Sequence, residues 1–188
     1  MSLPKKKGAI VAIDASNLLI SSRTAGQKVK RYSRKAGFDR GFQWIETFGT
    51  ILSVNIYINQ QESNDDSLWG NLWSKYKDKF HFEFHYCPAQ RSEKSGEKKD
   101  NVDEHLIYDT KEVVKRYINS IGYFCLWAGD LDYSPLLWQL KQDHGIEIAF
   151  VLGSKSSFSR TYEQVKVFGQ HPDDGKALVY YFSPYKKE

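Results

Sequence analysis

Gly8-Ala-Ile-Val-Ala-Ile-Asp14 is an apolar run without polar interruption, closed by an acid. A strand that faces water on one side alternates apolar and polar residues. A run without alternation is expected of a strand covered on both faces, as in a parallel sheet. Ile146-Glu-Ile-Ala-Phe-Val-Leu152 reads the same way. Between them, Thr50–Asn59, Phe80–Cys87 and Ile121–Gly129 have strand length and composition.

Helical stripes lie between these runs. Leu68, Trp69, Leu72, Trp73 and Tyr76 recur at three and four, and so do Leu106, Ile107, Val113, Val114, Tyr117 and Ile118. Leu136, Leu137 and Leu140 form a shorter stripe, and Phe42, Ile45 and Phe48 suggest another helix. Each stripe is wide enough to cover one side of a sheet. Trp69 and Trp73 therefore read as core residues. Strands alternating with helices predict an α/β fold: an open, mostly parallel sheet of about five strands, flanked by helices on both faces in a Rossmann-like three-layer sandwich. The polar stretch Arg91–Asn101 reads as a loop. Ser156–Phe168 suits a helix, and Leu178–Phe182 a short added strand.

A chain of 188 residues suits one domain with a sizeable core. Residues 1–7 read as a basic N-terminal tail and about 169–188 as a C-terminal extension. Aromatic residues make up 15% of the chain, so large rings supply much of the burial. The net charge of +4 permits an acidic partner. From Arg23 to Arg40 there are seven Lys or Arg against one acid, Asp39. Cys87 and Cys125 sit in apolar runs without a CxxC pair, which suits two core thiols in a reducing compartment. No run has the length of a membrane span, and no apolar stretch follows the lysines of the N-terminus. Cytoplasm is the expected compartment. Oligomeric state stays open, because aromatic-rich surfaces serve as interfaces as well as core.

Ligands of open α/β sheets collect at the carboxyl ends of the strands. The first strand ends in Asp14 and the fourth in Ala128-Gly129-Asp130-Leu131-Asp132, while Asp103 precedes the helix before the fourth strand. The simplest topology places all of them at one edge. Taken singly, Asp14 and Asp103 suit helix caps. Asp130 and Asp132 exceed that need, since Ser134 followed by Pro135 already reads as a cap with Pro at the first helical position. Four gathered carboxylates repel one another unless a cation joins them. Mg²⁺ or Mn²⁺, one ion or two, suits such oxygen ligands and leaves waters to exchange for phosphate. His81 and His85 lie in a strand-like run, about 13 Å apart on one face, too far to share a zinc ion.

The residues Ala12-Ile-Asp14-Ala-Ser-Asn17-Leu18 resemble the opening motif of NYN domains, in the wider PIN-like nuclease group. Val102-Asp103-Glu-His-Leu106-Ile-Tyr-Asp109 resembles their middle motif. Gly129-Asp130-Leu-Asp132-Tyr133-Ser-Pro135-Leu136 resembles their third, typically Gly-Asp-Ser-Asp-Phe with Pro and Leu following. The motifs occur in order and span residues 8 to about 168. Asp100-Asn101 stand where Gly is usual, and Ala128 where many relatives carry Ser or Thr.

The resemblance implies a PIN-like sheet and a metal-dependent ribonuclease. Asp14, Asp103, Asp130 and Asp132 would be metal ligands, with Asn17 orienting a carboxylate or touching phosphate. Asp109 matches the middle motif but lies off the helix face of Asp103, so it joins Ser134 as a supporting or structural residue. The implied partner is RNA, single-stranded or flexible. Arg23, Lys28, Lys30, Arg31, Lys98 and Lys99 are the candidates to contact its phosphates. A non-catalytic module that binds RNA or a partner protein on the same fold is the alternative.

Overall fold

The computed structural model describes residues 7–17, 31–60, 66–88, 90–91, 98–99, 101–152 and 178–181. In chain order the elements are β1 (Gly8–Asp14), α1 (Arg31–Phe48), β2 (Thr50–Asn59), α2 (Asp66–Tyr76), β3 (His81–Cys87), β4 (Gln90–Arg91), β5 (Lys98–Lys99), α3 (Val102–Tyr117), β6 (Ile121–Trp127), α4 (Ser134–His144), β7 (Glu147–Leu152) and β8 (Val179–Tyr181). A 3₁₀ turn, Leu131–Tyr133, leads into α4.

Six strands form one sheet in the order β3-β2-β1-β6-β7-β8, and every pairing in it is parallel. The expected count of about five is one short. The added strand is β8, which pairs with β7 through Phe150↔Val179 to Leu152↔Tyr181. The stretch read as a loop before α3 contains a small antiparallel ribbon, with Gln90 opposite Lys99 and Arg91 opposite Lys98. The helix expected at Ser156–Phe168 lies outside the described residues.

β1 lacks alternation because both of its faces are covered. Ala9, Val11 and Ile13 of β1 point to α1 and α2, where Phe38, Phe42, Ile45, Trp69, Leu72 and Trp127 complete one core. Ile10 and Ala12 point the other way, to Val102, Leu106, Val113 and Val114 of α3 and Leu136, Leu137 and Leu140 of α4. Right-handed parallel crossovers produce this division, since the chain winds in opposite directions along the two halves of the sheet.

Trp73 departs from the core reading: it is 44% exposed, while Trp69 is buried. The inward stripe of α2 is Trp69, Leu72 and Tyr76, and Trp73 lies at its margin with the Lys77 ammonium 4.9 Å from its ring centre. The reading of Ser134 as the cap of α4 also fails. The 3₁₀ turn runs directly into α4, so Ser134 is already its first residue, and no side chain caps that helix. Pro135 occupies the first turn, as expected, and α4 ends at Gly145 in the left-handed region (φ 63°).

Candidate active site

The strand order reverses between β1 and β6. From β1 the chain proceeds outward to β2 and β3, then returns to the other side of β1 with β6. The crevice outside the carboxyl ends of those two strands is the usual ligand position in an open α/β sheet. Ile13 pairs with Trp127, so Asp14 and the segment from Ala128 to Asp130 leave the sheet side by side. Asn17 ties them together: its backbone N–H donates to Asp14 Oδ1 (2.9 Å) and its side-chain Oδ1 accepts from the Gly129 N–H (3.3 Å).

Asp14 is 4% exposed. Its second oxygen accepts a hydrogen bond from the Tyr133 hydroxyl at 2.7 Å, and the same hydroxyl lies 2.5 Å from Asp103 Oδ1. By the triangle inequality the two carboxylate oxygens stand within about 5 Å of each other. The 3₁₀ turn creates this contact. Asp130 caps it by accepting from the Asp132 N–H (3.3 Å), and the tight turn points Tyr133 into the core while Asp130 and Asp132 remain exposed. Burial, followed by the charges of Asp14 and Asp103, pushes the Tyr133 phenol far above its ordinary range, so it stays protonated. A phenol has one proton, however, and here it meets two carboxylates.

Asp103 enters from the first turn of α3, where the helix N-terminus favours an acid. Two residues earlier, Asn101 is 4% exposed, its side chain caps nothing, and its Oδ1 is buried with no hydrogen-bond partner. A buried acceptor without a donor is costly unless a donor or cation reaches it. Two carboxylates meeting at one phenolic hydroxyl make a hard, oxygen-only donor set. It fits Mg²⁺ or Mn²⁺, which keep several waters and use one or two carboxylates. The fit is to a largely hydrated ion. Among the described residues, no three His, Cys, Asp or Glu side chains converge to hold a metal.

The predicted residues therefore divide. Asp14 and Asp103 come together, whereas Asp130 and Asp132 lie exposed on the adjoining turn. Asp109 faces the other way along α3, with its carboxylate 3.0 Å from His85 Nδ1 on β3. Burial lowers the His85 pKa, against the opposing charges of Asp109 and Glu83. Burial also acts to raise Glu83, but hydrogen bonds from His81 and Arg116 hold it below its ordinary value. Lys98 and Lys99 form β5, close in sequence to Asp103. Arg31 begins α1, while Arg23, Lys28 and Lys30 lie outside the described residues. Both cysteines are buried thiols, and burial pushes the Cys125 thiol up, away from thiolate chemistry.

Sequence reasoning missed Tyr133 at this contact. The signal was present: Tyr133 adds a hydroxyl where the third motif usually has Phe. No helix among the described residues is long and apolar enough to cross a membrane.

No curated protein matches the chain at significance. A crystal structure of a protein of unknown function from Vibrio parahaemolyticus RIMD 2210633 is similar in fold. The TM-score is 0.63 at 15% sequence identity, over 95% of this chain and 100% of that one. The NYN domain family model matches residues 9–168, from the second residue of β1 to beyond β7. That span contains all three acidic motifs, and NYN domains are in general nuclease-type domains. The chain belongs to the NYN domain family.

Proposed function

We propose that this chain is a ribonuclease dependent on Mg²⁺ or Mn²⁺, acting on single-stranded or flexible RNA. One observation carries the reading. At the switch point of the sheet, two carboxylates from distant parts of the chain share a single phenolic proton. Family membership supports the nuclease class.

Asp14 and Asp103 would hold the ion, with the exposed Asp130 and Asp132 at the rim of the same crevice. A bound divalent ion lowers the pKa of a coordinated water and offsets charge on a phosphodiester. The chain's own residues supply the rest. Asn17 fixes the orientation of Asp14 and anchors Gly129 beside it. Tyr133 holds its proton between the two acids and, being buried, keeps that side of the crevice free of bulk water. The ribbon carrying Lys98 and Lys99, with Arg23, Lys28, Lys30 and Arg31, would contact phosphates along the RNA backbone.

A second reading has its own support. Asp130 and Asp132 stand apart from the buried pair, which favours a module that binds RNA without cutting it. The deciding experiment is cleavage of an end-labelled single-stranded RNA in Mn²⁺ and in EDTA, with wild type and Asp14→Asn prepared identically. Metal-dependent cutting that disappears in the variant supports the nuclease. Binding without cutting across several RNAs supports the module. Cutting that persists in the variant removes Asp14 from the site.

A further inference from the structure

We propose that Tyr133 is a positioning residue, its hydroxyl gathering Asp14 and Asp103 into a preformed seat for a divalent cation. The inference rests on the metal-dependent reading above and adds a residue and a role to it.

Three separate stretches of chain meet at one oxygen. Tyr133 lies 119 residues from Asp14 and 30 from Asp103 in sequence, and its hydroxyl stands 2.7 Å and 2.5 Å from their carboxylates. The ring cannot swing away. It is fully buried, in the core that contains Leu136, Leu137 and Leu140 of α4. Its position is therefore set by packing, and the acids are set by it. Two like charges within about 5 Å otherwise move apart to regain water, and an arriving ion must draw them back.

The hydroxyl does not fill the seat. A carboxylate offers roughly four lone-pair positions. Asp14 meets the Asn17 N–H and the Tyr133 hydroxyl, and one hydroxyl proton cannot occupy every position on two carboxylates. Groups that orient metal ligands without touching the metal typically change affinity by about 10–100-fold when removed. Tyr133→Phe removes the hydroxyl alone and keeps the packed ring.

The test is Mn²⁺ affinity by electron paramagnetic resonance, on wild type, Tyr133→Phe and Asp14→Asn, with melting curves in EDTA as the folding control. The expected result is saturable binding by wild type, loss of it in Asp14→Asn, and affinity about tenfold weaker in a folded Tyr133→Phe. Equal or tighter binding by Tyr133→Phe overturns the positioning role while leaving the metal site intact. Absence of saturable binding by wild type overturns the metal site, and the positioning role with it. Incorporation of 3-fluorotyrosine at position 133 adds a readout that needs no deletion. Its fluorine resonance should move on Mg²⁺ addition, and a resonance unmoved at saturation overturns the proposal.

Discussion

On the α1–α2 side of the sheet, Phe38 stacks on Trp127 at 5.1 Å, and Phe42 packs against the same indole at 5.3 Å. On the α3–α4 side, the same strands present Asp14, Ser53 and Asn55, all buried, with Tyr57 stacked on His85 at 4.5 Å. The first face is held chiefly by large rings, with the Tyr76 hydroxyl donating to Asp39 at its margin. The second carries polar groups that need partners: Asn55 donates to Ser53 Oγ at 3.1 Å, and Asp14 depends on Asn17 and Tyr133. A strand that alternates its side chains between two faces can thus assign stability to one and chemistry to the other. In β1, Ala9, Val11 and Ile13 serve the first, and Ile10 and Ala12 lead to Asp14 on the second.

The largest expected effect is on the aromatic face. Phe42→Ala should cost about 3–5 kcal/mol, because the ring is 1% exposed and its removal leaves a cavity. Urea unfolding measures this, and the Mn²⁺ affinity of the folded fraction should be unchanged. A large loss of affinity would show that the two faces are coupled through Trp127, which leads directly to Ala128 and Asp130.

A finer test uses two helical glycines. A Cβ on Gly41 of α1 would stand 2.7 Å from the Trp127 ring, whereas one on Gly70 of α2 meets nothing within 4 Å. Helix propensity favours Ala at both positions by about 0.8–1 kcal/mol. Overpacking against a fixed indole costs typically about 1–3 kcal/mol and should reverse the sign at Gly41. Gly41→Ala should therefore lower the melting temperature and Gly70→Ala raise it. A gain at both would mean that the aromatic core is looser than its ring contacts imply.

On the polar face, Asp14→Asn should raise stability in EDTA by an amount on the order of 1 kcal/mol, because it removes one of two close like charges. Mn²⁺ should stabilise wild type and leave the variant unmoved. Thermal melts in both conditions check this. A variant that melts lower in EDTA would show that Asp14 serves mainly as a hydrogen-bond anchor for the turn at Ala15–Asn17.

The fold was legible because burial on both faces leaves a direct trace, the apolar run without alternation. That trace identified β1 to the residue and β7 within one, while strand length and composition located β2 to the residue and β3 and β6 within two residues of each end. The short β8 has only three residues, yet the run Leu178–Phe182 reads as a short added strand, and Val179–Tyr181 pairs with β7 there. At the site, the carboxyl ends of β1 and β6 followed from topology, so the neighbourhood of Asp14 and Asp130 was readable. Which acids converge was not. That depends on the 3₁₀ turn, which sends Tyr133 inward and the flanking acids out, and on Asp130 acting as its cap. A turn of three residues has no periodicity to read. Ser134 was misassigned for the same reason.

The smallest effect sharpens the comparison within the polar face, between the acids at the crevice and His85 at the edge strand. Burial lowers the His85 pKa from its ordinary value of 6.5, and neighbouring His105 acts in the same direction, while Asp109 and Glu83 oppose it. The unfolded chain therefore binds this proton at a higher pH than the folded one does. Stability is intact above 6.5 and falls as pH drops from there toward the folded value, after which the difference stops growing. His85→Gln should lose less stability than wild type over that interval, measured by urea midpoints at matched ionic strength. A steeper loss in the variant would mean that the pairing with Asp109, at 3.0 Å, outweighs burial and that His85 is charged in the fold.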